Sequence, residues 1–336
     1  MEREAMVKVV LVCLLVVSFV VPASVSAQQP RSRRGGLYGD WLITMKFGER
    51  DVQSILSFST NREGNYTGQW ISFWGANDLQ DVKFEDNKLS FMQTIRFQNQ
   101  EMTSKFTGKI EDGRLSGTLV GDRGETEIKG KRAPRPPRGV GSWDMKIKAG
   151  DREFTGTLTI TADKEGNLIG TWTSSRGQSK VTDVKYEGRT LTFKRTIDRD
   201  NGPMEMTFEG TVGYNSLEGA FKSDRGEATA TGTRVGAAVI GTWNLNIESE
   251  QGTRKQRLRI NPDLSALYGP TPIKKITLDG DKISFKYVLQ FGDREFETSF
   301  EGKVADSKLT GELKTSRGTS KVTGTRRTFR RRGSRQ

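Results

Sequence analysis

The chain has 336 residues, a formal net charge of +13, a single cysteine and no histidine. The lack of histidine excludes a Ser-His-Asp triad, a histidine general base and histidine ligands to a metal or haem, so we expect no cofactor and no metal site. A chain with one cysteine, Cys13, cannot form an internal disulfide.

The first segment is typical of a secretory signal. Lys8 precedes an apolar run, Val9–Val21, and small residues follow up to Val25-Ser26-Ala27. The apolar core is shorter than the ~20 residues that a membrane-spanning helix needs. We therefore expect residues 1–27 to be cleaved, the mature protein to be secreted or periplasmic, and no transmembrane segment to remain.

A Gly-x-Trp motif occurs three times at intervals of about 100 residues, and each copy is followed by the same landmarks and a closing arginine. Such a period indicates tandem copies of one domain. We predict a first unit over residues 39–132, a second over 141–234 and a third over 241–326. A proline- and arginine-rich linker, 133–140, joins the first two units, and a short linker, 235–240, joins the last two.

Apolar and polar residues alternate within each unit. In the second unit Trp143, Met145 and Ile147 alternate with charged residues, which is typical of a strand with one buried face. Short polar turns that contain glycine or asparagine separate eight such runs, the pattern of consecutive antiparallel hairpins. The sequence predicts an all-β protein made of three tandem eight-stranded antiparallel up-and-down barrels.

Turns with the letters SRG or DRG recur in the units. Alternate turns of a meander lie at the same end of a barrel, here called the mouth. Arg176 and Arg225 are therefore expected at the mouth of the second unit, with Arg123 and Arg317 at the matching mouths of the others. Either these arginines bind a carboxylate or phosphate ligand, or each is a solvated neighbour of a glycine with positive φ.

Large aromatic residues are expected to point inward beneath these mouths. Trp70, Trp172 and Tyr268 occupy corresponding places in the units. They suit a flat or sugar-like ligand, or they fill the barrel as a plug. Trp74 replaces the rim arginine in the first unit, and Tyr268-Gly269-Pro270 replaces the SRG turn in the third, so the mouths are not equivalent. Glycines that recur in the sixth and seventh strands are expected to make room for the aromatic rings.

Eight meandering strands that begin with Gly-x-Trp and end with an arginine resemble the lipocalin and wider calycin barrels. The units also look like small all-β domains appended to some secreted bacterial amidohydrolases, although no metal-binding hydrolase domain is present here. They are shorter than lipocalins and lack the helix that usually follows the barrel. An eight-stranded barrel is only just wide enough to be filled with side chains or to hold one small ligand.

Closure of such a barrel pairs its first strand with its last. The arginine that ends each unit then lies beside the tryptophan that begins it, where a cation–π contact is worth about 0.5–2 kcal/mol. The expected structural pairs are Trp41 with Arg132, Trp143 with Arg234, and Trp243 with Arg326.

The excess positive charge is expected at the ends and in one linker rather than on a folded face. It falls in a basic N-terminal segment, 28–38, in the linker region, and in an arginine-rich tail, 327–336. Such arms bind an acidic envelope polymer by charge alone, or they are solvated tails without a target. The residues are Arg31, Arg33, Arg34, Lys131, Arg132, Arg135, Arg138, Arg326, Arg327, Arg330, Arg331, Arg332 and Arg335.

Two functions remain open from the sequence. The first is an exported, non-catalytic binding protein whose barrels hold a small apolar or aromatic ligand. The second is a structural or interaction protein with filled barrels, tethered to anionic envelope polymers by its arginine-rich arms. An enzyme is not expected, because the carboxylates lie in turns or at outward positions and no pair of them is spaced to converge in a cleft.

Overall fold

The computed structural model describes residues 36–327, apart from residues 49, 98–99, 123, 164, 199–201 and 292–293, and its regular elements are all β-strands. The predicted all-β architecture of tandem barrels is confirmed. The proposed signal segment, the rim residue Arg123 and the tail beyond Arg327 lie outside the described residues. Within the described residues there is no helix with the length and hydrophobicity needed to cross a bilayer.

The first unit is a closed barrel of eight antiparallel strands in sequence order. Its first and last strands pair, which sets Trp41 opposite Arg132. Its strands are β1 (Gly39–Phe47), β2 (Arg50–Thr60), β3 (Tyr66–Ile71), β4 (Ala76–Glu85), β5 (Lys88–Phe97), β6 (Gln100–Glu111), β7 (Arg114–Gly121) and β8 (Gly124–Arg132).

The second unit is a closed barrel with the same strand order. Closure again pairs its first strand with its last, with Trp143 opposite Arg234. Its strands are β9 (Gly141–Ala149), β10 (Arg152–Ala162), β11 (Leu168–Ser174), β12 (Gly177–Glu187), β13 (Thr190–Ile197), β14 (Met204–Val212), β15 (Ser216–Ser223) and β16 (Gly226–Arg234).

The third unit differs from the predicted closed barrel, because it is a nine-stranded sheet that stays open between β20 and β21. Its first and last strands still pair, with Trp243 opposite Arg326. Its strands are β17 (Gly241–Ser249), β18 (Gly252–Ile260), β19 (Ala266–Tyr268), β20 (Thr271–Ile273), β21 (Thr277–Asp279), β22 (Lys282–Phe291), β23 (Arg294–Ala305), β24 (Lys308–Thr315) and β25 (Gly318–Arg326).

The opening arises because the fourth strand of the third unit is split in two. In the closed barrels this strand contains a register shift, beside Asp81 in the first unit and Asp183 in the second, and both aspartates have positive φ. In the third unit the first half, β20, pairs only with β19, and the second half, β21, pairs only with β22. Pro272 in β20 has no N–H to donate to a further strand. The N–H of Ile276, between the halves, donates instead to the carbonyl of Leu264 (2.7 Å).

The end of each unit opposite the mouth is covered by the segment that leads into it. In the second unit the Arg234 guanidinium carbon lies 3.9 Å from the Trp143 ring centroid, and its Nη1 donates to the carbonyl of Val140 (2.7 Å). The Trp143 indole N–H donates to the carbonyl of Gly139 (3.2 Å). Burial lowers the pKa of Arg234 to about 10, so the group remains charged at neutral pH. The corresponding distances from arginine to indole are 3.9 Å in the first unit and 4.8 Å in the third.

The core of each unit contains a stacked pair of phenylalanines, 4.7 Å apart in the first two units and 4.9 Å apart in the third. Glycines face these rings, as the sequence predicts. In the second unit a Cβ built on Gly210 would lie 2.5 Å from Cζ of Phe208. A larger residue at that position would force the aromatic pair to move.

The first and third units also pack against each other. Outward-facing Ile55, Ile71 and Ala76 of the first unit form an apolar cluster with Leu267 of β19. Strand β18 of the third unit lies next to β4 of the first. The linkers alone did not predict this interface, which joins parts of the chain that are far apart in sequence.

Candidate functional site

A cleft of about 570 Å³ lies at the mouth of the third unit. Its aromatic lining comprises Tyr287 and Phe296 of the third unit, together with Phe73 and Trp74 from the β3–β4 turn of the first. The remaining residues that line it are Ser249, Glu250, Gln251, Arg254, Leu289, Thr298, Leu313, Thr315, Ser316, Arg317, Gly318, Thr319 and Ser320.

The mouth of the second unit, in contrast, is packed with larger side chains. Trp172 is buried there, and the guanidinium carbon of Arg195 lies 4.1 Å from its ring centroid. Nε of Arg195 donates to Oγ of Ser179 (2.9 Å), and burial lowers the pKa of Arg195 to about 10. The equivalent positions in the third unit hold Tyr268 and Tyr287, whose ring centroids are 5.2 Å apart.

A second pair of positions follows from the strand register. Phe221 lies opposite Phe208 in the second unit, whereas Leu313 lies opposite Phe300 in the third. In the same way, Met206 lies opposite Arg195 in the second unit, whereas Thr298 lies opposite Tyr287 in the third. Both positions carry smaller side chains in the third unit. These differences, together with Tyr268 in place of tryptophan, leave room for the cleft.

The β3–β4 turn of the first unit forms one wall of the cleft and is held there by hydrogen bonds from β18. Nε2 of Gln256 donates to the carbonyl of Ser72 (3.0 Å), and Nη1 of Arg254 donates to the carbonyl of Trp74 (3.2 Å). Gly269, with φ +56, allows close approach, because a Cβ there would lie 2.9 Å from the carbonyl oxygen of Ser72. The rings of Phe73 and Trp74 lie 3.6 Å apart, and Trp74 is 56% exposed.

A buried carboxylate links the first and third units below this wall. Asp40 lies 3.4 Å from Arg257, 3.4 Å from Arg259 and 3.3 Å from Arg135, and Oγ of Ser57 donates to it at 2.7 Å. Burial opposes ionisation of Asp40, but the arginine charges and the Ser57 hydrogen bond outweigh it, so its pKa lies below the ordinary value. The carboxylate therefore remains ionised at neutral pH and ties the two units together.

Two arginines contribute positive charge to the cleft. Arg254 lies beside Trp74, and the guanidinium carbon of Arg317 lies 6.0 Å from the ring centroid of Phe296. Among the described residues that line the cleft, Glu250 alone is acidic, so these residues together carry a net positive charge.

The structure distributes the residues that the sequence singled out over different environments. Trp70 is buried against Phe91, with a centroid distance of 6.4 Å, and Trp172 lies under Arg195. Tyr268 is buried beneath the cleft. Arg176 and Arg225 are exposed in turns of the second unit, Arg317 lines the cleft, and Arg123 lies outside the described residues.

Sequence reasoning missed three features of the cleft. Arg254 and Tyr287 carried no motif, although the inward parity of Tyr287 could have placed it near the mouth. Trp74 was noted only as a replacement for a rim arginine of its own unit, whereas it lies against the third unit. No group of three or more acidic or cysteine side chains among the described residues is arranged to hold a metal ion.

No protein-family model and no curated protein sequence matches the chain. Among solved structures, a putative outer membrane protein from Bacteroides fragilis is 14% identical, covering 58% of this chain and 96% of that one, with a TM-score of 0.24. Transferrin binding protein B from Haemophilus parasuis, as a double mutant, is 12% identical over 87% of this chain and 76% of its own, with a TM-score of 0.18. A protein of the DUF3598 family from Nostoc punctiforme is 13% identical over 87% of this chain and 96% of its own, with a TM-score of 0.20. With such TM-scores these likenesses carry no argument about function.

Proposed function

We propose that this chain is an exported, non-catalytic binding protein, and that it holds a small apolar or aromatic molecule in the cleft of the third unit. The carrying observation is the cleft itself, which replaces the side-chain packing found at the mouth of the second unit. Its volume of about 570 Å³ lies within the range of small-molecule sites, and aromatic and aliphatic side chains line much of it. Export is proposed from the signal pattern of residues 1–27.

The composition of the cleft favours binding over catalysis. General acid–base chemistry needs a positioned donor and acceptor, and Glu250 is the single carboxylate among the lining residues that the structure describes. The chain contains no histidine that could serve instead. Burial raises the pKa of Tyr268 and of Tyr287 above the ordinary value, so neither supplies a phenolate base at neutral pH.

The mouth of the second unit supports the alternative function, a structural or interaction protein with a filled barrel, for that unit. Trp172, Arg195 and Phe221 occupy its mouth, so we assign it a structural role. Tethering to anionic envelope polymers remains a proposal for those parts of the arginine-rich arms that lie farther from the barrels. Nearer the fold, Arg135 pairs with Asp40 and Arg327 donates to Ser57, so these charges already have partners.

The test is a fluorescence titration of the mature protein with N-phenylnaphthylamine, a neutral aromatic probe whose emission rises in apolar sites. The variant T298M/L313F installs the residues of the second unit in the third. We expect it to fill the cleft and weaken probe binding at least about tenfold, since the cavity and its apolar contacts are lost.

The matched control is L119F, which makes the same leucine-to-phenylalanine change at the corresponding position of the first unit, opposite Phe106. Binding should survive in this variant. Loss of binding in L119F with retention in T298M/L313F would move the site to the first unit. Failure of the parent protein to bind the probe would overturn the proposed function.

A further inference from the structure

We infer that the ligand of this cleft is an aromatic or apolar molecule that carries one anionic group, that Arg254 and Tyr287 bind this group, and that Tyr268 positions Tyr287 from beneath. The inference rests on the proposed function and adds the chemical class of the ligand. It also assigns separate roles to the two ends of the cleft.

The first observation is a buried hydroxyl group without a well-formed hydrogen bond. Tyr268 is 3% exposed, and its hydroxyl makes no hydrogen bond of ordinary geometry with the described residues, although Tyr287 and Arg254 lie near it. A buried hydroxyl in this state is unfavourable, so a rearrangement of Tyr287 and Arg254 around a bound anion that completes its hydrogen bonding would recover stability.

The second observation is what surrounds that hydroxyl. Tyr287, which lines the cleft, and Arg254 are its polar neighbours, and the Arg254 charge opposes the rise that burial causes in the pKa of both tyrosines. Both hydroxyls are protonated at neutral pH, and Tyr287, which lies beside Thr298 and Tyr268, can donate to a ligand. A tyrosine hydroxyl next to a guanidinium forms a group that recognises an oxyanion.

The third observation concerns the charges at the cleft. Arg254 donates to the carbonyl of Trp74, and neither it nor Arg317 forms an ion pair with a carboxylate of the described residues. A guanidinium has five N–H donors, so Arg254 retains donors for a carboxylate, sulfonate or phosphate oxygen. A ligand without charge would leave this positive potential uncompensated.

The other residues that line the cleft indicate the chemistry of the uncharged part of the ligand. Leu289 and Leu313 provide aliphatic surface, and Phe296 and Trp74 provide aromatic faces on the third and first units. Trp74 reaches the cleft only because the first unit packs on β18. The site is therefore composite, with the anion site in the third unit and part of the aromatic wall in the first.

The test compares two probes with the same rings, anilinonaphthalene sulfonate and the neutral N-phenylnaphthylamine. We expect the sulfonate to bind about tenfold more tightly, as one or two charge-assisted hydrogen bonds would provide. R254Q and Y287F should each weaken binding of the sulfonate much more than binding of the neutral probe, so that most of this preference is lost. R225Q, which alters an exposed turn arginine of the second unit, is the control and should change neither affinity.

Tyr268→Phe supplies a readout that a purely structural role would not produce. Removing a buried hydroxyl without a well-formed hydrogen bond should raise the thermal stability of the ligand-free protein, yet weaken sulfonate binding several-fold. Lower stability together with unchanged sulfonate affinity would overturn the assignment of Tyr268.

The outcomes separate the two proposals. Equal affinity for both probes, unaffected by R254Q, would overturn the anionic class while the proposed function stands. Equal weakening by R225Q and R254Q would show non-specific charge attraction and would also overturn the anion site. Failure of both probes to bind would overturn the proposed function and the inference together.

Discussion

The second and third units share a strand order, a closing pair of strands and a stacked pair of phenylalanines, but they differ at the mouth. Trp172 and Arg195 stack over the core of the second unit, whereas Tyr268 and Tyr287 lie at the same positions in the third. The comparison teaches that the open space at the mouth of a unit is set by a few inward residues near one end. The strands that carry those residues are common to both units.

The two units also differ in what supports them. The second unit closes through hydrogen bonds between successive strands around the whole barrel. The third is open between β20 and β21, and the first unit packs on its β18 and β19 strands. We conclude that the third unit depends on a neighbour for part of its stability, and that its cleft depends on the same neighbour.

The largest expected effect comes from removing the indole at the closing pair. Trp143→Ala and Trp243→Ala each delete a fully buried side chain and should cost ~3–5 kcal/mol in the free energy of unfolding. Trp143→Ala should unfold the second unit and leave probe binding in the third intact, while Trp243→Ala should abolish binding. Urea unfolding followed by circular dichroism, with probe titration, checks both. A Trp143→Ala protein that unfolds like the parent would refute the packing described here.

Asp40→Asn tests the dependence of the third unit on the first. The change leaves Arg257 and Arg259 buried without their anion and should cost about 3 kcal/mol. Because the folded-state pKa of Asp40 lies below its ordinary 3.8, its contribution is fully present above that value and is lost as pH falls through the folded pKa.

The measurement is urea unfolding of parent and D40N at several pH values. The difference between them should be constant above about pH 5 and should shrink below about pH 4, as the parent carboxylate becomes protonated. A difference that persists unchanged to about pH 2 would show that the ionised carboxylate does not stabilise the interface.

The smallest expected effect comes from exchanging one mouth residue between the units. Phe221→Leu removes packed atoms from the second unit and should cost about 2 kcal/mol. Leu313→Phe adds atoms where the cleft has room, so it should cost less than about 1 kcal/mol, below the usual cost of overpacking. Differential scanning calorimetry of the two variants compares them directly. Equal destabilisation would indicate that the mouth of the third unit is as tightly packed as that of the second.

Much of the fold was predictable because it depends on local patterns. Alternation such as Trp143, Met145 and Ile147, with glycine turns between runs, predicts a meander of antiparallel strands. The pairing of the first strand with the last was expected from the resemblance to eight-stranded barrels, and it holds in all three units. The split fourth strand was not predicted, because a register shift within a strand and a break into two strands leave a similar alternation of apolar and polar residues. A proline indicates only that one backbone hydrogen bond between strands is missing.

The candidate site was predictable only in part. The rim position of Arg317 and the depth of Tyr268 follow from turn order and strand parity. Arg254, Tyr287 and the role of Trp74 depend on which units contact each other, and that contact is set by surface complementarity between distant segments. No periodicity within one unit carries this information.

The interface between the first and third units also sets an order of assembly. Asp40 and Arg257 are 217 residues apart, and a chain that emerges from its N terminus exposes Asp40 long before its partners. During that interval water must solvate the outward face of the first unit, including the apolar side chains of Ile55 and Ile71. The wall of the cleft is thus made early, whereas the third-unit residues that line it are made late, so the cleft forms only after most of the third unit has been synthesised.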